Sequence, residues 1–492
     1  GGKMLLGLDL GTTNIKAILA QRDGRIVARG SAAVNVSYPD NLTVEQDIED
    51  LWQATLSAIG QLTQKGDLSS VEAIGVSSQG GALQILDESR QPVGPVIGWL
   101  DGRGKPYDLA ITEELGRDWF ARHTGHGTSG LAVGQLLRLR HEQPQLLAQD
   151  HRVGFVGDVI VSRLCGTGAT DATSLSIAVL FNPYLKAVDA DLLARLGLRR
   201  DLLPRLLEPK DAAGGLSEQA AAETLLPAGV PVSPAVHDQY AASLGAGAVR
   251  TGDVMFSAGT AWVLLTAADK LVDLVIDDAF VCTHVVDGLY GQMLPLVNGG
   301  SCFSWALNVL GLSEESREQI DAMLESVPAG SDGLRCWPLL SPFGGARLPI
   351  GTAGRLTGLR LSHTPGHILR AVIEGLAMEL ERYLLVLKES GLAVERLVMC
   401  GGGANSRVTP QIVTDVTGMP VAPKSQMDTA ALGAAMIARG LIEPEASLAD
   451  LSEAMARPSR MVLPGAETSL YSEMLKEYLA SLPAESSAHG SA

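Results

Sequence analysis

Residues Met4–Ala20 read MLLGLDLGTTNIKAILA. From Met4 to Leu10 the run is apolar apart from Gly7 and Asp9, the pattern of a strand buried on both faces. Gly11, Thr12 and Thr13 follow, then a second apolar segment, Ile15 to Ala20. The turn Asp23-Gly24 leads into a third, Ile26–Ala28. The stretch therefore predicts a strand, a tight polar turn and a returning strand. Gly11 lets the backbone approach a ligand closely, and its amide, with the hydroxyls of Thr12 and Thr13, suits phosphate oxygens. Asp9 is an acid inside a buried strand and needs a partner; a hydrated Mg²⁺ is a good one. An ordinary hairpin with a polar tip is the plainer alternative.

A second copy strengthens the phosphate reading. Asp253–Thr266 reads DVMFSAGTAWVLLT, again a strand, a Gly259-Thr260 turn and a strand. The two hairpins open the two halves of the chain, which suggests a duplicated architecture with two phosphate loops. Ser257 stands in the second copy where Asp9 stands in the first. The pair is thus expected to form one asymmetric site, with the metal-side acid coming from the first half.

At 492 residues the chain predicts two domains of roughly 200–250 residues each. Apolar residues make up 46% and charged ones 19%, a globular composition. A formal charge of −17 argues against a nucleic-acid or anionic-membrane surface and leaves small molecules as the expected ligands. Cys165, Cys282, Cys302, Cys336 and Cys400 show no metal-type spacing and sit among apolar residues, so free thiols in a reducing cytoplasm are expected. No secretory signal or membrane-length apolar run is recognised. Gly1-Gly2 reads as a cloning remnant, and the tail Pro483–Ala492 as frayed.

Along the chain, helical spacing covers Glu45–Gln64, Leu131–Arg140, Phe155–Leu164, Leu192–Leu207, Phe303–Leu310 and, most clearly, Gly366–Ser390. Ala73–Ser77 predicts a strand that runs into Ser78-Gln79-Gly80-Gly81, and Ala82–Leu86 a returning one. If Ile97–Arg103 is extended, Trp99, Asp101 and Arg103 share one side and resemble a polyol-binding wall; a buried Trp beside a surface ion pair is the alternative. Gly229–Val236 predicts a strand ending at His237-Asp238-Gln239, with Asp238 capping a helix from Tyr240 to Gly247. Val281–His284 and Leu289–Met293 read as a hairpin, and Pro338–Gly358 as a long loop. The strand Arg396–Cys400 breaks into Gly401-Gly402-Gly403-Ala404-Asn405, where bare backbone admits a flat ligand or simply makes a tight connection. Val421–Pro423 is the next strand.

This ordered set of motifs resembles the FGGY carbohydrate kinases over roughly residues 4–440. The resemblance is carried most specifically by GLRLSHT at 358–364 with HILRAVIE at 367–374. LDLGTT, GTAWVLL, GDVIVSRLCGTGATDATSLS and CGGGANS stand around it in the family's order. It implies an α/β fold of two actin-like, ribonuclease-H-like domains with a cleft between them. The expected divisions are 1–247, with the sugar and phosphate site, and 248–492, with the nucleotide site. It implies that Asp238 is the catalytic base and Gln239 a substrate neighbour. Gln79, Gly80, Gly81, Trp99, Asp101 and Arg103 fall among substrate contacts. Gly11, Thr12, Thr13, Gly259 and Thr260 correspond to the phosphate loops, Gly401, Gly402 and Asn405 to the adenosine pocket, and Asp9 to the Mg²⁺ position. The expected cofactors are ATP and Mg²⁺, and the expected partner is a small sugar or polyol, with neither nucleic acid nor membrane. The oligomeric state stays open, a homodimer being one expectation. Gln79-Gly80-Gly81 stands where many members carry Gln-Met-His or Gln-Arg-Glu; the two glycines leave room and expose amides there. Ala346 also departs from a frequent Glu.

The chemistry agrees with this placement. Phosphoryl transfer needs an in-line hydroxyl, a metal on the phosphates and donors around the moving group, and an Asp suffices as base because the proton leaves late. Asp238 at a strand-to-helix switch is well placed for that, with a plain helix cap as its alternative. His237 reads as packing or support, and Lys16 as a solvated strand residue that could reach a phosphate. The expected activity is ATP-dependent phosphorylation of a sugar hydroxyl, with a ketopentose such as xylulose as the leading substrate. Gluconate, another sugar acid or a polyol is the alternative within the family. An acyl-phosphate kinase, a chaperone-like ATPase and a non-catalytic sugar sensor are the rivals outside it.

Overall fold

The structure, a computed structural model, describes residues 2–148, 150–424, 428–457 and 460–484; Gly1 and most of the tail expected to fray lie outside them. Two compact units divide the chain. Gly1–Arg250, Asp269–Gln292 and Asp428–Arg457 form the first, and Thr251–Ala268, Met293–Met427 and Pro458–Ala492 the second. The units are therefore not the contiguous stretches 1–247 and 248–492: two segments from beyond residue 248 build part of the first.

In the first unit the opening reading holds. Met4–Leu10, Asn14–Gln21 and Ile26–Ala33 are strands joined antiparallel in sequence. On the other side of Met4–Leu10 lies Val71–Ser78, parallel to it, followed by Pro231–His237, Ala169–Thr170 and Arg205–Leu206. Alternation decides what each face meets. Leu6, Leu8 and Leu10 enter a core with Trp52 and Ile59 of the helix Ile48–Gln61 and with Val156, Ile160 and Leu164 of Val156–Cys165. Gly7 and Gly75, side by side in register, turn the other way. A Cβ at Gly7 would sit 2.1 Å from the Ala431 carbonyl oxygen, and one at Gly75 would sit 1.7 Å from that of Ala434. The helix Thr429–Ile442 lies directly on bare backbone there. Gly433 in turn meets the backbone of Ala241, in Asp238–Ala246.

Some boundaries differ from the sequence reading. The helix expected over 192–207 is Ala190–Leu196, because Gly197 adopts a left-handed conformation that closes it. A 3₁₀ turn, Arg200–Leu202, and a short strand, Arg205–Leu206, take up the rest. Ile97–Arg103 is not extended: the strand Pro92–Ile97 ends, and Asp101 N donates to Gly98 O at 3.0 Å in a turn. Asp238 is the first residue of its helix rather than the cap, which is His237.

The second unit repeats the opening motif. Asp253–Ala258 and Trp262–Thr266 pair antiparallel, 293–296 extends the sheet beyond Trp262–Thr266, and Arg396–Cys400 then Val421–Pro423 run parallel on the other side. Its longest helix is Pro365–Glu389, where Leu369, Val372, Leu376, Leu380, Leu384 and Leu387 are all buried. The long loop after Pro338 is tied down by Asn298: its Oδ1 accepts from the amides of Leu340 and Ser341, and its Nδ2 donates to Gly344 O at 2.7 Å. All five cysteines are free. Among the described residues no helix is long and apolar enough to cross a membrane.

Candidate active site

Three strand ends bring the chemistry of the first unit together. Asp9 points to the same face of the sheet as Gly7, and its Oδ1 accepts from Ser77 Oγ at 2.9 Å on the adjacent strand. Burial raises its pKa to about 7, and the negative charge of Asp238 adds to the rise. Asp238 begins its helix at the end of the next parallel strand. Its side chain is 34% exposed, yet the shortage of surrounding water lifts its pKa to about 6, against the Gln239 amide that favours the anion. His237 Nε2 stands 3.3 Å from Asp238 Oδ1. Burial drives that imidazole down to about 4, so it is neutral at pH 7. Behind it, Asp171 accepts from Thr173 Oγ1 at 2.7 Å, and the same hydroxyl oxygen accepts from His237 N at 3.1 Å. The junction of the strand Ala169–Thr170 and the helix Ala172–Ile177 thus positions the strand end that carries Asp238.

The phosphate-type turn is tight: Gly11 N donates to Asn14 O at 3.0 Å, and a Cβ on Gly11 would meet that oxygen at 2.6 Å. Thr12 is the hub. Its Oγ1 donates to Gln79 Oε1 at 3.3 Å and accepts from Trp99 Nε1 at 3.1 Å, and its carbonyl accepts from Gln46 Nε2 at 2.7 Å. Trp99 remains 43% exposed.

Asp101 and Arg103 behave differently from open wall residues. Asp101 is buried; it accepts from Val44 N and Gln135 Nε2 and forms an ion pair with Arg103, which also reaches Glu45. These bonds hold the carboxyl below the ordinary Asp range against its burial. The pair braces the turn that presents Trp99. At Gly80 the expected room is occupied: a Cβ would lie 2.1 Å from Ile177 Cγ2 and 2.7 Å from His237 Cδ2. Gly81 adopts φ +80°, and a Cβ there would touch Leu131 Cδ2 at 3.0 Å.

The second unit has a pocket of about 430 Å³ lined by Gly259, Thr260, Phe303, Leu307, Arg317, Asp321, Gly402 and Ser406, among others. Gly259, Thr260 and Gly402 were expected there. Gly401 shapes it from behind, since a Cβ would meet Ala258 C at 2.8 Å, and Asn405 ends the 3₁₀ turn Gly402–Asn405. Asp321 fixes the rim by accepting from Ser406 Oγ and Arg407 N. Phe303, Leu307, Arg317 and Asp321 were missed because the helices Gly300–Val309 and Arg317–Glu325 carry no motif of their own.

Comparison with known proteins decides the class. The N-terminal domain of the FGGY family of carbohydrate kinases matches residues 4–245, and its C-terminal domain matches 254–439. The chain belongs to the FGGY family of carbohydrate kinases. Among similar FGGY proteins, the xylulose kinase of Escherichia coli K12 is 27% identical over 453 residues, covering 91% of this chain and 92% of that protein. The L-fuculokinase of Salmonella typhi is 29% identical over 444 residues, covering 88% and 91%. The crystal structure of a xylulose kinase from Rhodospirillum rubrum superposes with a TM-score of 0.88 at 28% identity, over 97% of this chain and 98% of that one. This FGGY chain is therefore an α/β protein of two domains and a phosphotransferase acting on sugar-type alcohols. FGGY kinases take ATP as phosphoryl donor, generally with Mg²⁺.

Proposed function

We propose that this FGGY kinase transfers the γ-phosphoryl group of ATP to a hydroxyl of a small, neutral, open-chain sugar, with a ketopentose such as xylulose as the leading substrate. The observation that carries this reading is the pair Asp9 and Asp238, two carboxylates with raised pKa beside the Gly11–Thr13 turn. In the transfer the sugar oxygen forms a bond to phosphorus, the bond from phosphorus to the bridging oxygen of ADP breaks, and the hydroxyl proton passes to Asp238. A pKa of about 6 leaves Asp238 ionised at neutral pH yet basic enough for that proton. Neutral His237 adds no positive charge that would weaken the base.

A divalent cation fits beside Asp9. Burial, and after it the negative charge of Asp238, raise the Asp9 pKa; a cation offsets both, and a carboxylate on a rigid strand end suits Mg²⁺ that keeps most of its waters. When bound with the nucleotide, Mg²⁺ supplies charge neutralisation on the phosphates. Trp99 offers an apolar face to the carbon side of the substrate, and Gln79, Gln239 and the amides of Gly80 and Gly81 offer hydroxyl partners. Arg103 is engaged by Asp101 and Glu45, so its charge is already matched, which favours a neutral substrate over an aldonate. The similarity to proteins named xylulose kinase supports the pentose. Gly259, Thr260, Gly401, Gly402 and Asn405 are assigned to the nucleotide, with Phe303 as a stacking surface for the base.

The test is kcat/KM across ketoses, polyols and aldonates with ATP and Mg²⁺. A ketopentose is expected to rank first. A leading hexose, polyol or aldonate would replace the substrate while keeping the kinase, and sugar binding without ATP consumption would point to a sensor.

A further inference from the structure

A threonine hydroxyl has one proton to give and two lone pairs to receive with. At Thr12 the proton is already committed. The indole N–H of Trp99 is a donor only, so the 3.1 Å contact uses Thr12 Oγ1 as acceptor. The hydroxyl proton therefore goes to Gln79 Oε1, 3.3 Å away. The Gln79 amide cannot be turned round without loss, because its Nε2 donates to the carbonyl of Gly11 at 3.3 Å, and a carbonyl has no proton to return. The backbone of Gln79 is fixed as well, with its N–H donating to Leu10 O at 2.9 Å. Gln46 holds the Thr12 carbonyl from the other side. Without substrate, the Thr12 side chain thus presents one remaining lone pair, and no donor, to any phosphate.

We propose that Gln79 is a positioning residue that withholds the Thr12 hydroxyl proton from the nucleotide until a sugar arrives. This rests on reading Gly11–Thr13 as the phosphate loop. A sugar hydroxyl donating to Gln79 Oε1 takes the second lone pair of the oxygen that Thr12 already uses and weakens the Thr12 bond. The Thr12 bond, at 3.3 Å, is long for an O–H donor and exchanges readily. Once released, the Thr12 hydroxyl turns its proton to an anionic phosphate oxygen, a charge-assisted bond roughly twice as strong as the neutral one it leaves. No covalent bond changes; one O–H changes partner. Trp99 keeps the oxygen in place while the proton swings. Sugar and nucleotide then bind cooperatively, and ATP hydrolysis without sugar is suppressed.

The experiment measures ATP turnover by the full chain, with and without the best sugar of the panel, for wild type, Gln79→Leu, Thr12→Val, Gln79→Glu and the double variant Gln79→Leu/Thr12→Val. In wild type, sugar is expected to lower the KM for ATP. In Gln79→Leu, sugar-free hydrolysis is expected to rise about tenfold, the worth of one hydrogen bond to a charged group, and the sugar effect on the ATP KM to disappear. Adding Thr12→Val should cancel the rise, and Gln79→Glu, which keeps an acceptor, should keep sugar-free hydrolysis low. Structural damage lowers rates and cannot produce this gain. Unchanged sugar-free hydrolysis in Gln79→Leu, or a rise that survives Thr12→Val, overturns the proposal and leaves the kinase reading intact if wild type phosphorylates sugar. A wild type that turns over no sugar takes both down. Should Gln79→Leu not fold, the affinity of wild type for a non-hydrolysable ATP analogue with and without sugar decides: tighter binding with sugar supports the proposal, and equal affinity overturns it.

Discussion

Asp238 and Asp9 are both acids, both raised in pKa, and burial leads in each, yet they serve different chemistry. Asp238→Asn keeps the shape and loses the proton acceptor, so kcat is expected to fall by about 10² or more while sugar binding by calorimetry largely survives. A variant within a few-fold of wild type would contradict the base assignment. Because the Asp238 pKa is about 6, wild-type kcat/KM should fall roughly tenfold per pH unit below that value, as the protonated base loses its acceptor. Asp9 lends itself to a stability test. Its folded pKa of about 7 exceeds the ordinary value of 3.8, so between these the native state binds more protons than the unfolded one. Ionisation of Asp9 therefore costs stability as pH rises through that window, and the cost is complete above it. Asp9→Asn, which can still accept from Ser77, is expected to melt above wild type at pH 8 in chelator, with the advantage vanishing toward pH 4, while needing more Mg²⁺ for activity. Equal melting temperatures at pH 8 would show that the buried charge is already compensated. The positions of both acids were legible from the sequence. The bracing of Asp101 by Val44 and Gln135 was not, because it joins residues far apart in the chain whose types carry no signal.

At the level of elements, the hairpins, the helix Pro365–Glu389 and the strand Arg396–Cys400 could be read directly, since each has a period or a turn of its own. The helix Thr429–Ile442 shows what periodicity leaves out. It packs on the first unit's sheet through Gly75 and through Gly7, which read as an interruption in an apolar strand and is instead part of the contact. Gly75→Ala would drive a Cβ to 2.6 Å from the Ala434 carbonyl carbon and closer still to its oxygen, so helix or strand must shift. Overpacking of this kind costs about 1–3 kcal/mol, read as a lower urea midpoint at unchanged slope. Gly60 provides the matched control. It lies in the helix Ile48–Gln61, where an added Cβ would have nothing within 4 Å, and Gly60→Ala should stabilise by about 0.5–1 kcal/mol. If both substitutions behaved alike, close packing would not be the reason for Gly75.

For the molecule as a whole, duplication was legible in the two hairpins, whereas the composition of each unit was not: a chain that returns at Asp428–Arg457 to complete its first unit leaves no local mark at the crossing. The proposed division of labour can be tested through the residues each unit holds. Asp9, Thr12, Gln79, Trp99 and Asp238 belong to the first, and the pocket with Gly259, Phe303, Asp321 and Gly402 belongs to the second. Adenosine has the flat base and ribose without phosphates, and a sugar has hydroxyls without a base, so each should engage one set alone. Hydrogen exchange on the full chain is expected to show adenosine slowing amides in Gly300–Val309, Arg317–Glu325 and Gly402–Asn405. The best sugar should instead slow those at Leu10–Thr13, Gln79–Gly81 and the start of Asp238–Ala246. Protection by adenosine at Gln79–Gly81, with none at Gly402–Asn405, would reverse the assignment of sites while leaving the family unchanged. Protection by sugar in neither set would remove the substrate role given to Gln79 and Trp99.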